Sequence, residues 1–351
     1  MAAGWSGKEL IRYTWSVPHD APAVAALRRI AFLLELAQEP TYRVRAFRRA
    51  ADVVSALTAD ELERRIREGS LQQLPGVGDV TAIAITEAQR GEAPVYLRRL
   101  ESTEGRVVAD GAAALRGALR GDCHTHSDWS DGGSSILDMA ETARSLGHEY
   151  VALTDHSPRL TVAGGLSAER LCQQLQEVKR LNVGLAPFRI LTGIEVDINE
   201  DGSLDQEDGL LDSLDIVVAS VHSHLRMPRE QMTERMLAAI ANPFTDVLGH
   251  CTGRIIVGRG RPESEFDAEA VFDACRRFDV AVEINSRPER LDPPKRLLRL
   301  AVEAGCRFAI DTDAHAPAQL EWQIRGCERA AACGVAIDAV INTLSATNLV
   351  A

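Results

Sequence analysis

Seven short apolar runs, most of them ending in a histidine or a carboxylate, constrain this chain more than any other feature. They span residues 121–126, 150–154, 189–196, 216–222, 245–250, 280–285 and 307–311. Between them, helical patterns occupy 135–146, 167–182, 228–240, 267–277 and 295–304. Strands alternating with helices in this way pair in parallel. Seven parallel strands can form an open doubly wound sheet or a closed barrel, and the strand ends decide between them. His124, His126, His156, Glu195, His222, His250, Asp313 and His315 all stand at or just beyond the end of a run. A barrel gathers such ends around one mouth, whereas an open sheet spreads them along an edge.

The first run opens the stretch Gly121 to Gly132, GDCHTHSDWSDG. Strict alternation along a strand sends Asp122, His124 and His126 to one side, a metal-ligand layout. Asp131 follows in the Ser130-Asp131-Gly132 turn and folds back over them, with Gly132 expected to supply a positive φ. Taken singly each residue is a weak signal. Glu195 alone reads as a buried ion-pair partner, and His250 alone as a satisfied core histidine. Jointly they are strong, because six of the nine histidines stand at strand ends. His19, His148 and His224 are assigned to the surface or an outer shell, although His224 shares the strand parity of His222.

Charge separates the chain into two parts. Residues 1–120 carry 17 Lys+Arg against 15 Asp+Glu, and 121–351 carry 22 against 36, so the net −12 splits into +2 and −14 and the excess acid lies in the second part. An acidic body repels a polyanion at long range, so any such substrate must be held by local groups. The seven cysteines contain no CxxC pair, which argues against a disulfide framework and against a zinc ribbon and suggests a reducing cytoplasm. No apolar run approaches the roughly 18 residues of a membrane span.

The expected organisation is an extension over 1–20, a helical domain over 21–103, a linker over 104–120 and the barrel over 121–351. In the helical domain a pattern from Ala21 to Leu36 ends at Glu39-Pro40. A second helix from Arg43 puts Val44, Phe47, Ala51 and Val54 on one face and Arg45, Arg48, Arg49 and Asp52 around the other. Leu74-Pro75-Gly76-Val77-Gly78 then opens a third helix. A tight turn of this kind has a helix-hairpin-helix signature, in which Gly76 and Gly78 let backbone N–H groups approach a DNA phosphate. Arg43 and Arg48 are the candidate partners of that phosphate. The alternative is a solvated face and a plain turn, and Asp79, directly after the turn, opposes an anion.

The motifs YRVRAFRRAA, LPGVG and EAPVYLRRL resemble the N-terminal domain of family X DNA polymerases, which grips DNA ends. The position matching that family's lyase lysine holds Ala84, and only about twenty residues separate Leu100 from the histidine strand. Neither lyase nor polymerase chemistry is therefore expected. From Gly121 on, DCHTHSDWSDG, ALTDHS, TGIEVDI, ASVHSH, GHCTGR, EINSRPERLD and AIDTDAHAPAQL resemble the PHP (polymerase and histidinol phosphatase) superfamily. The resemblance implies a distorted TIM-like (βα)7 barrel. It also implies nine ligands, His124, His126, Asp131, His156, Glu195, His222, His250, Asp313 and His315, holding three divalent metal ions with Glu195 as a bridge. Mixed histidine and carboxylate donors suit zinc, manganese or iron. Cys251 stands where relatives have proline, as a perturbing residue or a soft ligand.

Clustered cations of this kind yield a metal-activated hydroxide near neutral pH and spread phosphoryl charge. Asp313, His315, Glu195 and Arg254 are the expected catalytic residues, and Arg254, Arg287 and Arg290 an anion clamp. The expected function is a metal-dependent phosphoesterase processing DNA 3′ ends, as a 3′–5′ exonuclease or a 3′-phosphatase. A phosphatase acting on a phosphorylated small molecule of the histidinol phosphate type is the chief alternative, and a non-catalytic DNA-binding accessory protein a further one.

Overall fold

The computed structural model describes residues 21–103 and 110–351; the extension with His19, and residues 104–109 of the expected linker, lie outside the described residues. The chain divides into two compact units, one reaching Val107 and one beginning at Val108.

The first unit contains α1 (Pro22–Leu36), α2 (Thr41–Ser55), α3 (Ala59–Glu68), α4 (Asp79–Gln89) and α5 (Val95–Thr103). α1 is its central element, with Ala23, Leu27, Ile30 and Leu34 fully enclosed between α2, α4 and α5. The α2 face expected from periodicity is the buried one: Val44, Phe47, Ala51 and Val54 all pack inward, and the Phe47 ring stacks on Tyr96 at 5.3 Å. Each large apolar side chain buried in this way contributes about 1.5–3 kcal/mol. α3 starts at Thr58, whose Oγ1 accepts from Glu61 N, and stops at Gly69 in the left-handed region. Gly76 is required in the hairpin by its φ of +102°, in the left-handed region that favours glycine.

The second unit opens with α6 (Asp110–Ala118) and continues as β1 (Gly121–Thr125), α7 (Ile136–Ser145), β2 (Tyr150–Leu153), α8 (Ala168–Leu185), β3 (Arg189–Asp197) and α9 (Asp208–Leu211). It proceeds through β4 (Ile216–Ser220), α10 (Arg229–Ile240), β5 (Val247–Leu248), α11 (Ala268–Phe278), β6 (Ala281–Asn285), α12 (Lys295–Glu303), β7 (Phe308–Asp311), α13 (Gln323–Cys333) and α14 (Ala346–Leu349). Ser135, Ser167 and Asp267 cap α7, α8 and α11 with their side-chain oxygens. The strands pair in sequence order, all parallel. β1 and β7 complete the ring without a continuous ladder. Thr125 bridges to Ala314, Asp311 Oδ1 accepts from Cys123 N at 2.8 Å, and Asp122 Oδ2 accepts from the Thr312 hydroxyl at 2.6 Å.

One hydrophobic cluster takes residues from all seven strands, among them Cys123, Tyr150, Leu191, Val218, Val247, Ala281 and Ala309. It fills the interior, so the barrel is a packed core with its chemistry at one end. Two further clusters pack the helices against the outside. α6 belongs to one of them through Ala112 and Leu115, with Leu119 just after it, so the described part of the expected linker, residues 110–120, packs against the barrel. Its small residues, GAAALRG, resemble connecting sequence but allow close packing. Arg116 of α6 lies 3.1 Å from His148 Nε2, and His148 is 4 % exposed, a correction to its surface assignment. Burial first, and the Arg116 charge second, push the His148 imidazole down to about 3.

All seven cysteines are free. Cys251 packs in the outer core, where burial pushes its thiol well up, and among the described residues it belongs to none of the donor groups compact enough for a cation. Among the described residues no helix is long and apolar enough to cross a membrane.

Candidate metal centre

The strands run parallel, so their C-terminal ends share one rim, and the chain beyond them carries the polar side chains. Glu195, near the end of β3 and 1 % exposed, is the hub. Its Oε2 lies 3.4 Å from His124 Nε2, 3.6 Å from His126 Nε2 and 2.8 Å from His156 Nδ1. Its Oε1 lies 3.2 Å from His222 Nε2 and 2.9 Å from His250 Nε2. Asp131 reaches His156 at 3.5 Å and His315 at 3.2 Å, and Asp313 reaches His126 at 3.4 Å. All nine residues expected as ligands therefore meet in one place. Their donor atoms form three overlapping groups compact enough for a cation: His126, Asp131, His156 and His315; His124, His126 and Glu195; and His156, Glu195 and His222.

Several of these buried donor atoms lack hydrogen-bond partners among the described residues: His124 Nε2, both ring nitrogens of His126, His156 Nδ1, His250 Nδ1 and Glu195 Oε2. Leaving such atoms without partners costs on the order of 1–3 kcal/mol each. Of these, His124 Nε2, His126 Nε2 and His156 Nδ1 lie within 3.6 Å of Glu195 Oε2, and a divalent cation satisfies lone pairs that face one another in this way, so the residues present fit the metal they were expected to hold. Burial works to raise the Glu195 carboxyl, but His124, His222 and His156 outweigh it and hold the group well below the usual range. Burial, with His315 and His156 adding to it, holds His126 well below a normal imidazole and so neutral. Glu195 and His126 are thus in the protonation state that ligation requires, whereas at His124 and His222 burial is outweighed by carboxylates, Glu195 first, which raise the imidazoles, His222 to about 9, so a cation binding there must displace protons.

Local sequence explains how the loops reach the mouth. Asp155 accepts from Ser127 N, the Ser127 and Ser130 hydroxyls and Gln174, fixing the turn that carries Asp131. Gly132 does not take the positive φ expected of it; a Cβ there would stand 2.5 Å from the Ser127 carbonyl oxygen, so close backbone approach is its reason. Asp313 has φ +53°, an uncommon backbone for this residue, held by Asn285, Arg287 and Arg290. Asp122, by contrast, leaves the expected group. The β1–β2 register shifts between Asp122 and Thr125, alternation fails there, and Asp122 turns to Thr312.

The arginines separate. Arg287 Nη1 is 3.0 Å from His315 Nδ1 and 3.4 Å from Asp313 Oδ1. Arg290 Nε is 3.2 Å from Asp313 Oδ2, and its buried Nη1 has no hydrogen-bond partner among the described residues. Arg254 instead donates to the carbonyls of Arg290 and Leu291 and faces Glu263, so it supports the Arg290 loop from outside the cluster. His224 is exposed and pairs with Glu200, away from His222.

Two buried carboxylates escape the sequence reading. Glu283 lies 2.7 Å from His124 Nδ1, and Asp197 lies 2.7 Å from His222 Nδ1. Glu283 shares strand parity with Asn285 in EIN, and Asp197 follows Glu195 by two in EVD; that spacing was the available signal.

In the first unit, Arg43 pairs with Glu39 at 2.8 Å and Arg48 with Glu35 at 2.8 Å, so both expected phosphate partners are engaged. Gly78 N already donates to Thr81 Oγ1 at 2.9 Å. Ala84 is buried in the helical core.

Comparison with known proteins follows the same division. Residues 122–287 match the PHP domain model and residues 19–92 a helix-hairpin-helix domain model. The chain is 45 % identical over 199 residues to a DNA polymerase/3′-5′ exonuclease PolX of Bacillus subtilis, matching 57 % of this chain but 35 % of that protein. The chain thus spans about a third of that relative's length. A probable phosphatase of Thermoanaerobacter sp. is 30 % identical over 236 residues, 63 % of this chain and 89 % of its own length. A solved histidinol phosphate phosphatase from Lactococcus lactis, complexed with zinc, L-histidinol and phosphate, aligns with a TM-score of 0.43 and 18 % identity over 57 % of this chain and 87 % of its own. Seven of the nine mouth residues fall inside the matched PHP segment, and the alignment with the probable phosphatase runs almost the whole length of that relative: the chain belongs to the PHP family.

Proposed function

We propose that the barrel holds three divalent cations, drawn from zinc, manganese and iron, and hydrolyses phosphoester bonds at DNA 3′ ends, as a 3′–5′ exonuclease or a 3′-phosphatase. The observation that carries the metal-dependent part is the nest of buried, unpartnered donor atoms around Glu195. The three overlapping donor groups support the number three. Bound cations of this kind make water more acidic and neutralise charge on phosphoryl oxygens.

The chain's own residues supply the rest. Arg290 offers a buried N–H beside Asp313, an anchor for a phosphoryl oxygen at the edge of the cluster. Arg287 and Arg290 flank Asp313, and Arg287, with His126, His124 and His315, holds it well below the usual carboxylate range against its burial, so it remains an acceptor. The packed interior beneath the mouth leaves substrate one side from which to approach.

DNA as substrate is supported by the helix-hairpin-helix match and by the PolX relative, whose name carries a 3′–5′ exonuclease. A small phosphate ester is the second reading. It is favoured by the coverage of the probable phosphatase and by the engagement of Arg43, Arg48 and Gly78 N within the first unit. The purified chain with Mn²⁺ is expected to shorten 5′-labelled primer DNA faster than it releases phosphate from histidinol phosphate. The opposite ranking selects the second reading. Asp313→Ala is expected to abolish both, and full activity in that variant rejects the site.

A further inference from the structure

We infer that Glu283 is a positioning residue whose two carboxylate oxygens set two ligands at once, the ring of His124 and the backbone of His250. This inference rests on the metal-centre reading above. Glu283 is fully buried in β6, and His124 is its ion-pair partner among the described residues. Its Oε1 lies 2.7 Å from His124 Nδ1 and its Oε2 accepts the backbone N–H of His250. Asn285 Nδ2 adds a third donor at 3.3 Å.

A buried carboxylate is costly unless it is fully hydrogen-bonded, and a leucine or glutamine fills a similar volume without that cost. What a carboxylate does here that those residues cannot is accept on both sides. A carboxylate oxygen accepts at this contact, so the proton that a metal-ligating imidazole keeps must sit on Nδ1 of His124. The lone pair of Nε2 is then directed at Glu195, 3.4 Å away, which is the orientation a ligand needs. The same construction recurs independently at His222, with Asp197 at 2.7 Å from Nδ1 and Glu195 at 3.2 Å from Nε2. Glu283 adds what Asp197 does not: by gripping the His250 backbone, it ties the ligand after β5 to the ligand in β1. A glutamine has one carbonyl oxygen and one NH₂ group, so it can accept at one of the two contacts and must present a donor at the other.

The test is Co²⁺ titration of metal-stripped wild type, Glu283→Gln and, as a surface control, Glu303→Gln, read by the visible absorption of bound Co²⁺ and by bound metal per chain. Glu283→Gln is expected to bind about 10- to 100-fold more weakly, with an altered visible spectrum, while Glu303→Gln matches wild type. A merely structural role lowers the melting temperature of the metal-free variant and leaves its Co²⁺ affinity and spectrum unchanged; that result overturns the inference. Wild type that binds no Co²⁺ overturns the metal centre itself. Should Glu283→Gln fail to fold, ¹⁵N-detected tautomer assignment in metal-free wild type decides. His124 protonated at Nδ1 supports the inference, and a proton on Nε2 with Nδ1 bare refutes it.

Discussion

Replacing His148 by glutamine tests whether α6 is an integral part of the barrel. Glutamine keeps an acceptor for Arg116 and removes the only group at that position that titrates between pH 3 and 7. In the folded chain the imidazole is pushed from 6.5 down to about 3, first by burial and then by Arg116. Below 6.5 the unfolded chain takes up a proton that the folded chain refuses. The wild type therefore loses stability as pH falls from 6.5 toward 3. One pH unit is worth about 1.36 kcal/mol, so the loss from this group is about 2 kcal/mol at pH 5 and approaches about 5 kcal/mol near pH 3. Urea unfolding of metal-free wild type and His148→Gln at pH 7.5 and pH 5.0, followed by tryptophan fluorescence, gives a double difference in which every other histidine cancels. The variant is expected to lose about 2 kcal/mol less than wild type over that interval. A double difference within about 0.5 kcal/mol of zero means that His148 charges freely and that the contact with α6 does not bury it.

Glu195→Gln removes the charge shared by five histidines, and elemental analysis is expected to find metal affinity reduced by more than the roughly 100-fold that outer-shell changes reach. Retained full stoichiometry refutes its place as hub. Gly132→Ala forces a Cβ to within 2.5 Å of the Ser127 carbonyl oxygen and displaces the Asp131 turn. A loss of about 1–3 kcal/mol and a smaller metal-induced rise in melting temperature are expected by calorimetry. Arg290→Ala is expected to weaken competitive inhibition by inorganic phosphate about 10- to 100-fold, the range for a hydrogen bond to a charged group. An unchanged inhibition constant removes Arg290 from substrate binding.

The barrel and its mouth were legible because two periodicities coincide. Parallel strands bury both faces and read as apolar runs, and their ends project onto one rim, so His124, His126, His156, Glu195, His222, His250, Asp313 and His315 stood out at regular places. What failed depended on contacts far apart in sequence. Asp122 has the parity of a ligand, but a register shift in β1 turns it to Thr312, 190 residues away. The arginines of α2 look free on a helical wheel, yet Arg48 meets Glu35 on another helix. Arg254 carries a guanidinium as suitable as that of Arg290, and only the fold shows that backbone carbonyls occupy it. Glu283 and Asp197 were hidden for the opposite reason: a carboxylate inside an apolar strand resembles an ordinary buried ion pair until its imidazole partner is seen.

The join between first and last strand has a consequence for how the enzyme assembles. β1 and the chain just after β7 supply His124, His126, Asp313 and His315, and between them the hoop is fastened by side chains such as Asp122 and Thr312 instead of a full run of backbone bonds. A clasp of that kind lies next to four of the nine donors. Cations drawn to those donors would brace the clasp, tying the occupancy of the mouth to the closure of the circle.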